Sequence, residues 1–190
     1  MQADTLLTLI KSRRSIYPDV YTDQPIDKAT IESILEAANW APNHKRTEPW
    51  RFKVFQGEAK EQLGQYLANF YKTHTDPEKF SEMKYKKNLK KANRSACIIA
   101  ICMQRDPQER LLQWEEEAAL AMAVQNMWLM CTANDIGCYW SSTKAMLQAD
   151  DFLGLEEGEK CYGIFFMGYH QAPELNAERG SIADKVEWRG

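Results

Sequence analysis

The sequence has 190 residues, of which 44% are hydrophobic and 27% are charged, and its formal net charge is −3 at pH 7. This composition is typical of an ordered globular protein and excludes a disordered or fibrous chain. A slightly acidic chain has no overall attraction for nucleic acid or for an anionic membrane surface, so we expect neither as a partner. The length fits a single domain, which we place at residues 1–190.

Cysteine content and the start of the chain bear on the cellular compartment. The five cysteines are an odd number and form no C-x-x-C pair. Because they fall in predicted strands and a predicted helix, we interpret them as buried thiols of a reducing compartment. No charged and then apolar leader follows Met1, and the most apolar helical stretch, residues 118–133, is shorter than the roughly 20 residues of a membrane span. These features predict a cytoplasmic protein without a membrane partner.

The first part of the chain alternates predicted helices with loops. Asp4 can cap a first helix, which ends near Arg13 because basic residues favour a helix C-terminus. Asp27 can cap a second helix, which Pro42 stops. Residues 51–55 then alternate with the period of a strand, and helical sequence resumes over residues 59–73.

The segment of residues 76–95 is rich in lysine and lacks a clean apolar face. We expect residues 70–95 to form a surface helix or a flap. Its cations, with Tyr85 among them, would also suit a surface that follows nucleic-acid phosphates. The acidic balance of the whole chain argues against that use.

The second part contains the predicted core. Residues 96–102 and 162–168 are continuous apolar runs, typical of strands that are buried on both faces. Between them lie a long helix over residues 110–135, apolar nearly all round in its second half, and a turn and strand over residues 136–142. Residues 169–190 form a polar tail with late apolar side chains, which we expect to lie on its own domain or on a partner subunit. This order of elements predicts one α+β domain.

Arg13, Arg14 and Ser15 stand where the first helix should end. Guanidinium groups match phosphate oxygens, and a serine hydroxyl adds a further donor, so these residues suit a phosphate. Adjacent helical residues point about 100° apart, so one arginine can turn inward while its neighbour stays in water. The simpler alternative is that both cations only complement the helix C-terminus.

The segment 41–50, A-P-N-H-K-R-T-E-P-W, lies between the second helix and a strand. Within it, His44 follows Asn43; a neutral imidazole can donate to a carbonyl or phosphate, and a charged one can stabilise an anion. A histidine packed in a turn is an equally good explanation, and Trp50 is expected in the core. A phosphorylated aromatic cofactor bound between this segment and Arg13 would account for both motifs.

Trp140, Ser141 and Ser142 close a strand after a glycine turn. An indole and two hydroxyls there would suit the polar chain of a cofactor, although Ser142 would serve equally as the N-cap of a following helix. Arg179 lies in the tail, where a surface charge is the default. The sequence lacks the G-x-G-x-x-G, Walker, H-E-x-x-H and G-x-S-x-G motifs and any metal-spaced cysteine set, which leaves nucleotide-loop, zinc and acyl-transfer chemistry unsupported.

Taken in order, these pieces resemble the flavin-dependent nitroreductase family, in particular its compact single-domain bacterial branch. The matching pieces are the helix with R-R-S, the block A-P-N-H-K-R-T-E-P-W with R-F-K-V-F, the long helix, G-C-Y-W-S-S, G-I-F-F-M-G and R-G-S-I-A-D-K-V-E-W. They cover most of the chain, and residues 57–110 are the least similar part. The resemblance implies an α+β fold with a central, mainly antiparallel sheet flanked by helices, a long buried helix and an extended C-terminal tail.

The resemblance also implies an intertwined homodimer with tightly bound FMN at the subunit interface and NADH or NADPH as reductant. Arg13, Arg14 and Ser15 would hold the phosphate and ribityl end in one subunit. His44 and Asn43 would approach the flavin from the other subunit. The remaining residues of the implied cofactor site are Trp140, Ser141, Ser142 and, most loosely matched, Arg179. No catalytic side chain is expected, because the flavin would carry the chemistry.

Three functions are compatible with these observations. The leading hypothesis is an FMN-dependent NAD(P)H oxidoreductase with ping-pong kinetics that reduces a nitroaromatic, a quinone or another small electron-poor acceptor. A second keeps the flavin but reduces an enone, or dehydrogenates or dehalogenates a dedicated metabolite. A third is a nucleic-acid or partner-binding module that uses the lysines of residues 84–94. The motif residues would bind the cofactor rather than the substrate, so they do not separate the first two.

Overall fold

The computed structural model describes residues 2–172 and 176–190. The helices are α1 (Ala3–Ser12), α2 (Lys28–Asn39), α3 (Gly57–Thr73), α4 (Glu82–Arg94), α5 (Gln113–Ala133), α6 (Lys144–Leu147) and α7 (Asp150–Leu153). The strands are β1 (Trp50–Phe55), β2 (Cys97–Gln104), β3 (Ile136–Ser141) and β4 (Glu159–Tyr169).

The strands form one antiparallel sheet in the order β1-β2-β4-β3. Phe52 of β1 lies opposite Ile101 of β2. At the other end of the sheet, Cys138 of β3 lies opposite Met167 of β4. The two continuous apolar runs of the sequence are therefore the two inner strands, where both faces are covered, and the α+β fold with an antiparallel sheet is confirmed.

Apolar side chains fill both faces of this sheet. On one face, α2 and α5 cover Ile99 and Phe165. On the other face, α3, α4 and α6 cover Ile98, Ile164 and Phe166. Neighbouring strand residues belong to different clusters because successive side chains of a strand point to opposite faces.

Two helix starts show how the local sequence sets the boundaries. The side chain of Asp27 accepts a hydrogen bond of 2.8 Å from the backbone N–H of Thr30, so the predicted cap of α2 is confirmed. For α1 the prediction was wrong by two residues, because Gln2 is the N-cap and Asp4 lies in the first turn. A carboxylate in the first turn still complements the positive end of the helix.

Helix α5 lies across one face of the sheet, within the range predicted for the long helix. Its sheet-facing side carries fully buried residues, whereas the opposite side leaves Met122 40% exposed. Glu116, near the start of α5, is fully buried. Arg105 forms an ion pair with its carboxylate, and the backbone N–H of Asp106 donates to it at 3.0 Å. In the described part of the chain, no helix combines the length and apolarity that crossing a bilayer requires.

Helix α4 packs directly on α3. The two helices approach closely at Gly64, where an added Cβ would lie 2.7 Å from the Cβ of Ala92. Ala92 is fully buried, whereas Met83 at the other end of α4 is exposed. The lysine-rich segment is thus a helix at the surface with one docked side.

The five cysteines are buried and free, as the sequence predicts. Burial raises the pKa of the Cys97 thiol to about 12, which makes it a poor nucleophile. The tail behaves differently from the core, because residues 176–190 are exposed throughout. Trp188 is 91% exposed, so this late apolar side chain of the tail does not pack on its own domain.

Candidate functional site

Residues 13–17 run beside the outer edge of the sheet. Helix α1 ends at Ser12, and Arg13 leaves it with a ψ of 127°. The backbone N–H of Ile16 then donates to the carbonyl oxygen of Cys138 at 3.1 Å. The segment that contains Arg13, Arg14 and Ser15 is therefore held against edge strand β3.

Arg13 is half-buried against the long helix. Its guanidinium lies over the ring of Trp128, 4.6 Å from the ring centre. Burial lowers the pKa of Arg13, and the positive charges of Arg179 and Arg14 lower it further, against an opposite effect of Cys138. Among the described residues, no carboxylate contributes to this shift. The site therefore concentrates positive charge, which suits an anionic ligand.

Two further arginines, Arg14 and Arg179, lie near Arg13. Arg14 donates to the carbonyl oxygens of Lys11 and Arg13 at 2.6 and 2.9 Å, so part of its donor capacity completes the end of α1. Arg179 is exposed and lies close enough to Arg13 to affect its pKa. The structure thus brings a residue of the tail to the start of the chain, although Arg179 was the most loosely matched residue of the family resemblance.

Two neighbouring cavities flank the outer part of the sheet on its α3–α4 face. The first, which we call the Ser15 cavity, has a volume of about 460 Å³. It is lined by Ser15, Ile16, Tyr17, Asp19, Val20, Lys87, Lys91 and Ala172. The second, which we call the Ser141 cavity, has a volume of about 270 Å³. Its lining includes Ser141, Tyr139, Lys91, Lys144, Phe70 and Phe166. Because Lys91 lines both, the two cavities adjoin, and together they have the size of a small-molecule site.

Lys87 and Lys91 are site residues that the sequence interpretation missed. They are four residues apart on α4, so both point to the same side of the helix. Burial lowers the pKa of Lys91, and Lys87 lowers it further, whereas Asp19 has the opposite effect. The ammonium of Lys91 lies 6.0 Å from the centre of the Tyr139 ring. Their spacing was the available signal, but nothing in the sequence showed which side of α4 faces Ser15.

The hydroxyl of Tyr139 is buried in the wall of the Ser141 cavity. Among the described residues it has no hydrogen-bond partner of normal geometry, although Ser141 interacts with it. Burial is the main cause that raises the pKa of Tyr139, so the hydroxyl stays protonated and able to donate. A ligand in the cavity would give this group a partner.

Trp140, Ser141 and Ser142 do not share one surface. The indole N–H of Trp140 donates to the carbonyl oxygen of Tyr162 at 3.0 Å, on the α5 side of the sheet. Ser141 lines its cavity on the other side, and Ser142 is exposed after the strand. The alternative role of Ser142 as a helix cap was wrong, because the N-cap of α6 is Thr143.

Gly163 allows the strand end to lie close to β4. Its φ is +124°, and a Cβ there would clash with the carbonyl oxygen of Ser141 and lie 2.9 Å from Nε1 of Trp140. Any other residue at this position would displace the segment that carries both side chains. The glycine therefore belongs to the architecture of the site.

His44 and Asn43 lie in a separate, tightly held loop. Nδ1 of His44 is 2.6 Å from Oε2 of Glu115, and the side-chain oxygen of Asn43 accepts from the backbone N–H of Glu48 at 3.2 Å. Three residues of the loop, Lys45, Arg46 and Glu48, have positive φ angles of 51°, 55° and 42°. Such a conformation costs free energy and is typical of loops with a function.

One chain does not bring His44 to Arg13. His44 contacts Glu115 in the first turn of α5, and Arg13 contacts Trp128, thirteen residues further along that helix. At 1.5 Å per residue, these two positions are about 20 Å apart along the axis. Within one chain, the two motifs therefore lie at different ends of α5.

The described residues contain no cluster of three or more histidine, cysteine or carboxylate side chains that would hold a metal ion. The site is instead built from cations, hydroxyls and aromatic rings. Arg13, Lys87 and Lys91 supply positive charge, and Tyr139 supplies an available donor. This set suits a ligand with an anionic group and an aromatic part.

Comparison with known proteins identifies the family and the fold of the chain. The family model "Nitroreductase family" matches residues 10–169. The protein named "Putative NAD(P)H nitroreductase YfhC" of Bacillus subtilis (strain 168) is 32% identical over 188 residues, which cover 97% of this chain and 94% of that protein.

Solved structures share the whole fold. The nitroreductase-like family protein from Bacillus cereus superposes with a TM-score of 0.80 at 27% identity, over 100% of this chain and 98% of that one. The FMN-dependent nitroreductase NfnB from Mycobacterium smegmatis, solved in complex with NADPH, gives a TM-score of 0.79 at 14% identity, over 98% of this chain and 99% of the other. The chain belongs to the nitroreductase family.

Proposed function

We propose that the protein is an FMN-dependent NAD(P)H oxidoreductase that reduces a small electron-poor acceptor, such as a nitroaromatic or a quinone. The observation that carries this proposal is the half-buried guanidinium of Arg13, with Arg179 and Arg14 near it and no described carboxylate acting on it. A cluster of this kind is stabilised by an anion such as a phosphate. Membership of the family and the names of its relatives support the rest.

The residues present fit the cofactor chemically. Its phosphate and ribityl chain need cations and hydroxyls, which Arg13, Arg14, Ser15 and Arg179 would supply. Its ring needs a slot with apolar walls and a few polar edges, which the Ser15 and Ser141 cavities offer. The buried hydroxyl of Tyr139, which has no described hydrogen-bond partner of normal geometry, is one such polar edge.

The cofactor and the protein would have separate roles in the reaction. Bound FMN would accept a hydride from NAD(P)H and pass it to the acceptor, which gives alternating, ping-pong kinetics. The chain itself would hold the phosphate with Arg13, exclude water from one side of the site with β3, and leave the other side open. We assign no catalytic side chain.

We also propose a homodimer in which two copies complete each site. Helix α1 has no buried residue, although Leu6, Leu7 and Ile10 give it an apolar side. The apolar side chains of the tail are exposed as well. Unpartnered surfaces of this extent are typical of oligomer interfaces. A second copy that covers them would also bring its Asn43 and His44 to the Arg13 side.

Trp140 and Ser142 have weaker support as cofactor contacts than Ser141, because only Ser141 lines a described cavity. We propose Ser141 as a direct contact and Trp140 as a residue that fixes the strand end through Tyr162. Ser142 is exposed after the end of β3 and would contact the cofactor from there.

We propose one domain over residues 1–190 and a cytoplasmic location. Two cores that share one sheet support the single domain. Five buried, free thiols support a reducing compartment.

An absorption spectrum of the purified protein tests the cofactor, and a panel of acceptors tests the reaction. We expect flavin absorption that NADH or NADPH bleaches without oxygen and that a nitroaromatic or a quinone restores. Protein that neither retains nor takes up FMN would overturn the proposal. Faster turnover of an enone than of every nitro compound and quinone would replace the acceptor class and leave the cofactor in place.

Co-expression of two tagged variants tests the shared site. One copy carries Arg13→Gln with Arg14→Gln, and the other carries Asn43→Ala with His44→Ala. In the isolated heterodimer one site combines both defects and the other has none, so we expect one FMN per dimer. No recovery of binding, or a monomeric wild type with FMN bound, would contradict the shared site.

A further inference from the structure

A shallow groove adjoins the Ser15 cavity. It has a volume of about 430 Å³ and shares Asp19 and Lys87 with that cavity. The groove is lined by Asp19, Met83, Lys86, Lys87 and Lys90. A ligand that enters the Ser15 cavity therefore finds a cationic surface next to it.

Helix α4 is strongly basic, whereas the chain as a whole is slightly acidic. The helix carries six basic residues and one carboxylate, in a protein whose net charge is −3. Lys86 and Lys90 form one pair at i,i+4, and Lys87 and Lys91 form a second. Like charges at this spacing destabilise a helix. An anionic ligand that lies on this side of α4 would offset that repulsion.

The carboxylates near these lysines hold them weakly. Nζ of Lys86 is 3.5 Å from Glu82, and Nζ of Lys90 is 3.6 Å from Asp19. All four side chains are exposed, and ion pairs of this kind contribute little stability. Phosphate oxygens can therefore take their place without disturbing the fold.

We propose that this groove binds the phosphate groups of the nicotinamide dinucleotide, and that NADPH, with its additional 2′-phosphate, is the preferred reductant. The inference rests on the proposed function, because the nicotinamide ring must reach a cofactor in the adjoining cavity. Lys87, at the junction, would meet the diphosphate, and Lys86 and Lys90 would meet the 2′-phosphate. The exposed side chain of Met83 offers the adenine an apolar contact.

The shape of the groove favours a dinucleotide over a nucleic acid strand. Surfaces that follow single strands combine cations with aromatic rings on which successive bases stack. No aromatic residue is among the described residues that line this groove. It offers phosphate contacts over about one helical turn and then meets the Ser15 cavity.

Direct binding of adenine nucleotides gives the first test. We expect calorimetry to show that the flavin-loaded wild type binds 2′,5′-ADP more tightly than 5′-AMP. Lys86→Gln with Lys90→Gln should weaken 2′,5′-ADP binding about tenfold and affect 5′-AMP less. The matched control is Lys28→Gln with Lys72→Gln, which removes two exposed lysines that line no described cavity and should change neither affinity.

Separate half-reactions give the second test. The groove variant should raise the KM for NADPH about tenfold, leave its kcat nearly unchanged and move the preference toward NADH. Reoxidation of the dithionite-reduced variant by the acceptor should keep the wild-type rate. Three results would each overturn the inference. The variant could keep its preference for NADPH, or the wild type could bind 2′,5′-ADP and 5′-AMP with equal affinity. The third is an oligonucleotide that binds α4 and is not displaced by NADPH. If the protein contains flavin, any of these results leaves the proposed function unaffected. A protein that binds no flavin would contradict the proposed function itself.

Discussion

The guanidinium of Arg13 lies 4.6 Å from the centre of the Trp128 ring, and the indole N–H of Trp128 donates to the carbonyl oxygen of Arg14 at 3.0 Å. These two contacts tie the end of α1 to the C-terminal part of α5. The aromatic face stabilises the cation while the ring fixes its position. Arg13 is thus pre-positioned before any ligand binds, which lowers the entropy lost on binding.

Arg179 should contribute to the same anion site. We expect Arg179→Gln to weaken FMN binding about tenfold, because one charge-assisted contact to the phosphate is lost. Quenching of FMN fluorescence during titration of the apoprotein measures the effect. Arg189→Gln is the control, since Arg189 is exposed and pairs with Glu187 in the same tail. Equal FMN affinity of the Arg179 variant and the wild type would remove the residue from the site.

Gly163 should be intolerant of a side chain. We expect Gly163→Ala to lower the free energy of unfolding by about 2–4 kcal/mol, because the new Cβ meets the Ser141 carbonyl. Gly57→Ala is a matched control: its φ is also positive, at +53°, but nothing lies within 4 Å of its Cβ. Gly57→Ala should lower the free energy of unfolding by only about 1 kcal/mol. Equal losses in urea unfolding would show that the close approach to Ser141 has no energetic weight.

The Tyr139 hydroxyl should matter only when the cofactor is bound. For the apoprotein we expect Tyr139→Phe to be neutral or slightly stabilising, because it removes a buried donor without a partner of normal geometry. The increase in Tm caused by FMN should shrink in this variant. Tyr66→Phe is the control, since the Tyr66 hydroxyl donates to the carbonyl oxygens of Ala145 and Gln148 at 3.0 and 3.2 Å. It should destabilise both forms by about 1 kcal/mol. Equal loss in both forms of the Tyr139 variant would contradict a cofactor contact.

Asp106 should make stability depend on pH in the acid range. Hydrogen bonds from the Arg110 side chain, at 2.7 Å for Nε, are the main cause that lowers the pKa of the carboxyl to about 2. The ordinary pKa is about 3.9, so the contribution is complete above that value and is lost as pH falls toward 2. The stability difference between wild type and Asp106→Asn should therefore be constant from about pH 5 to 8 and shrink below about pH 4.

Urea unfolding across this pH range measures that difference. Glu109→Gln, which removes an exposed carboxylate from the same loop, is the control variant. A difference that grows as the solution becomes more acidic would reverse the sign and contradict the assignment.

Much of the fold could be predicted from the sequence because its signals are local. The apolar runs of β2 and β4 and the Asp27 cap depend on periodicity and on a hydrogen bond between near neighbours. The family resemblance was predicted from the motifs and is confirmed by the family match. The position of Asp4 was misjudged because a carboxylate suits both the cap and the first turn of a helix.

The candidate site could be predicted only in part because it depends on tertiary contacts. The sequence indicated Arg13 and Ser15 but gave no sign that Lys87 and Lys91 lie beside them, since that contact depends on how α4 docks on α3. The sequence interpretation also assigned Trp140 and Ser141 to the same cofactor site, although adjacent strand residues face opposite sides of the sheet. The roles of these residues toward the cofactor stay predictions.

Titration of FMN into apoprotein measures whether the arginines at the end of α1 bind the phosphate of FMN. The Arg13→Gln, Arg14→Gln double variant should bind FMN at least about a hundredfold more weakly than the wild type, because two charge-assisted contacts are lost. Lys28→Gln with Arg189→Gln removes the same charge from exposed positions and should bind like the wild type. Wild-type FMN affinity in a folded arginine variant would show that these arginines do not bind the phosphate.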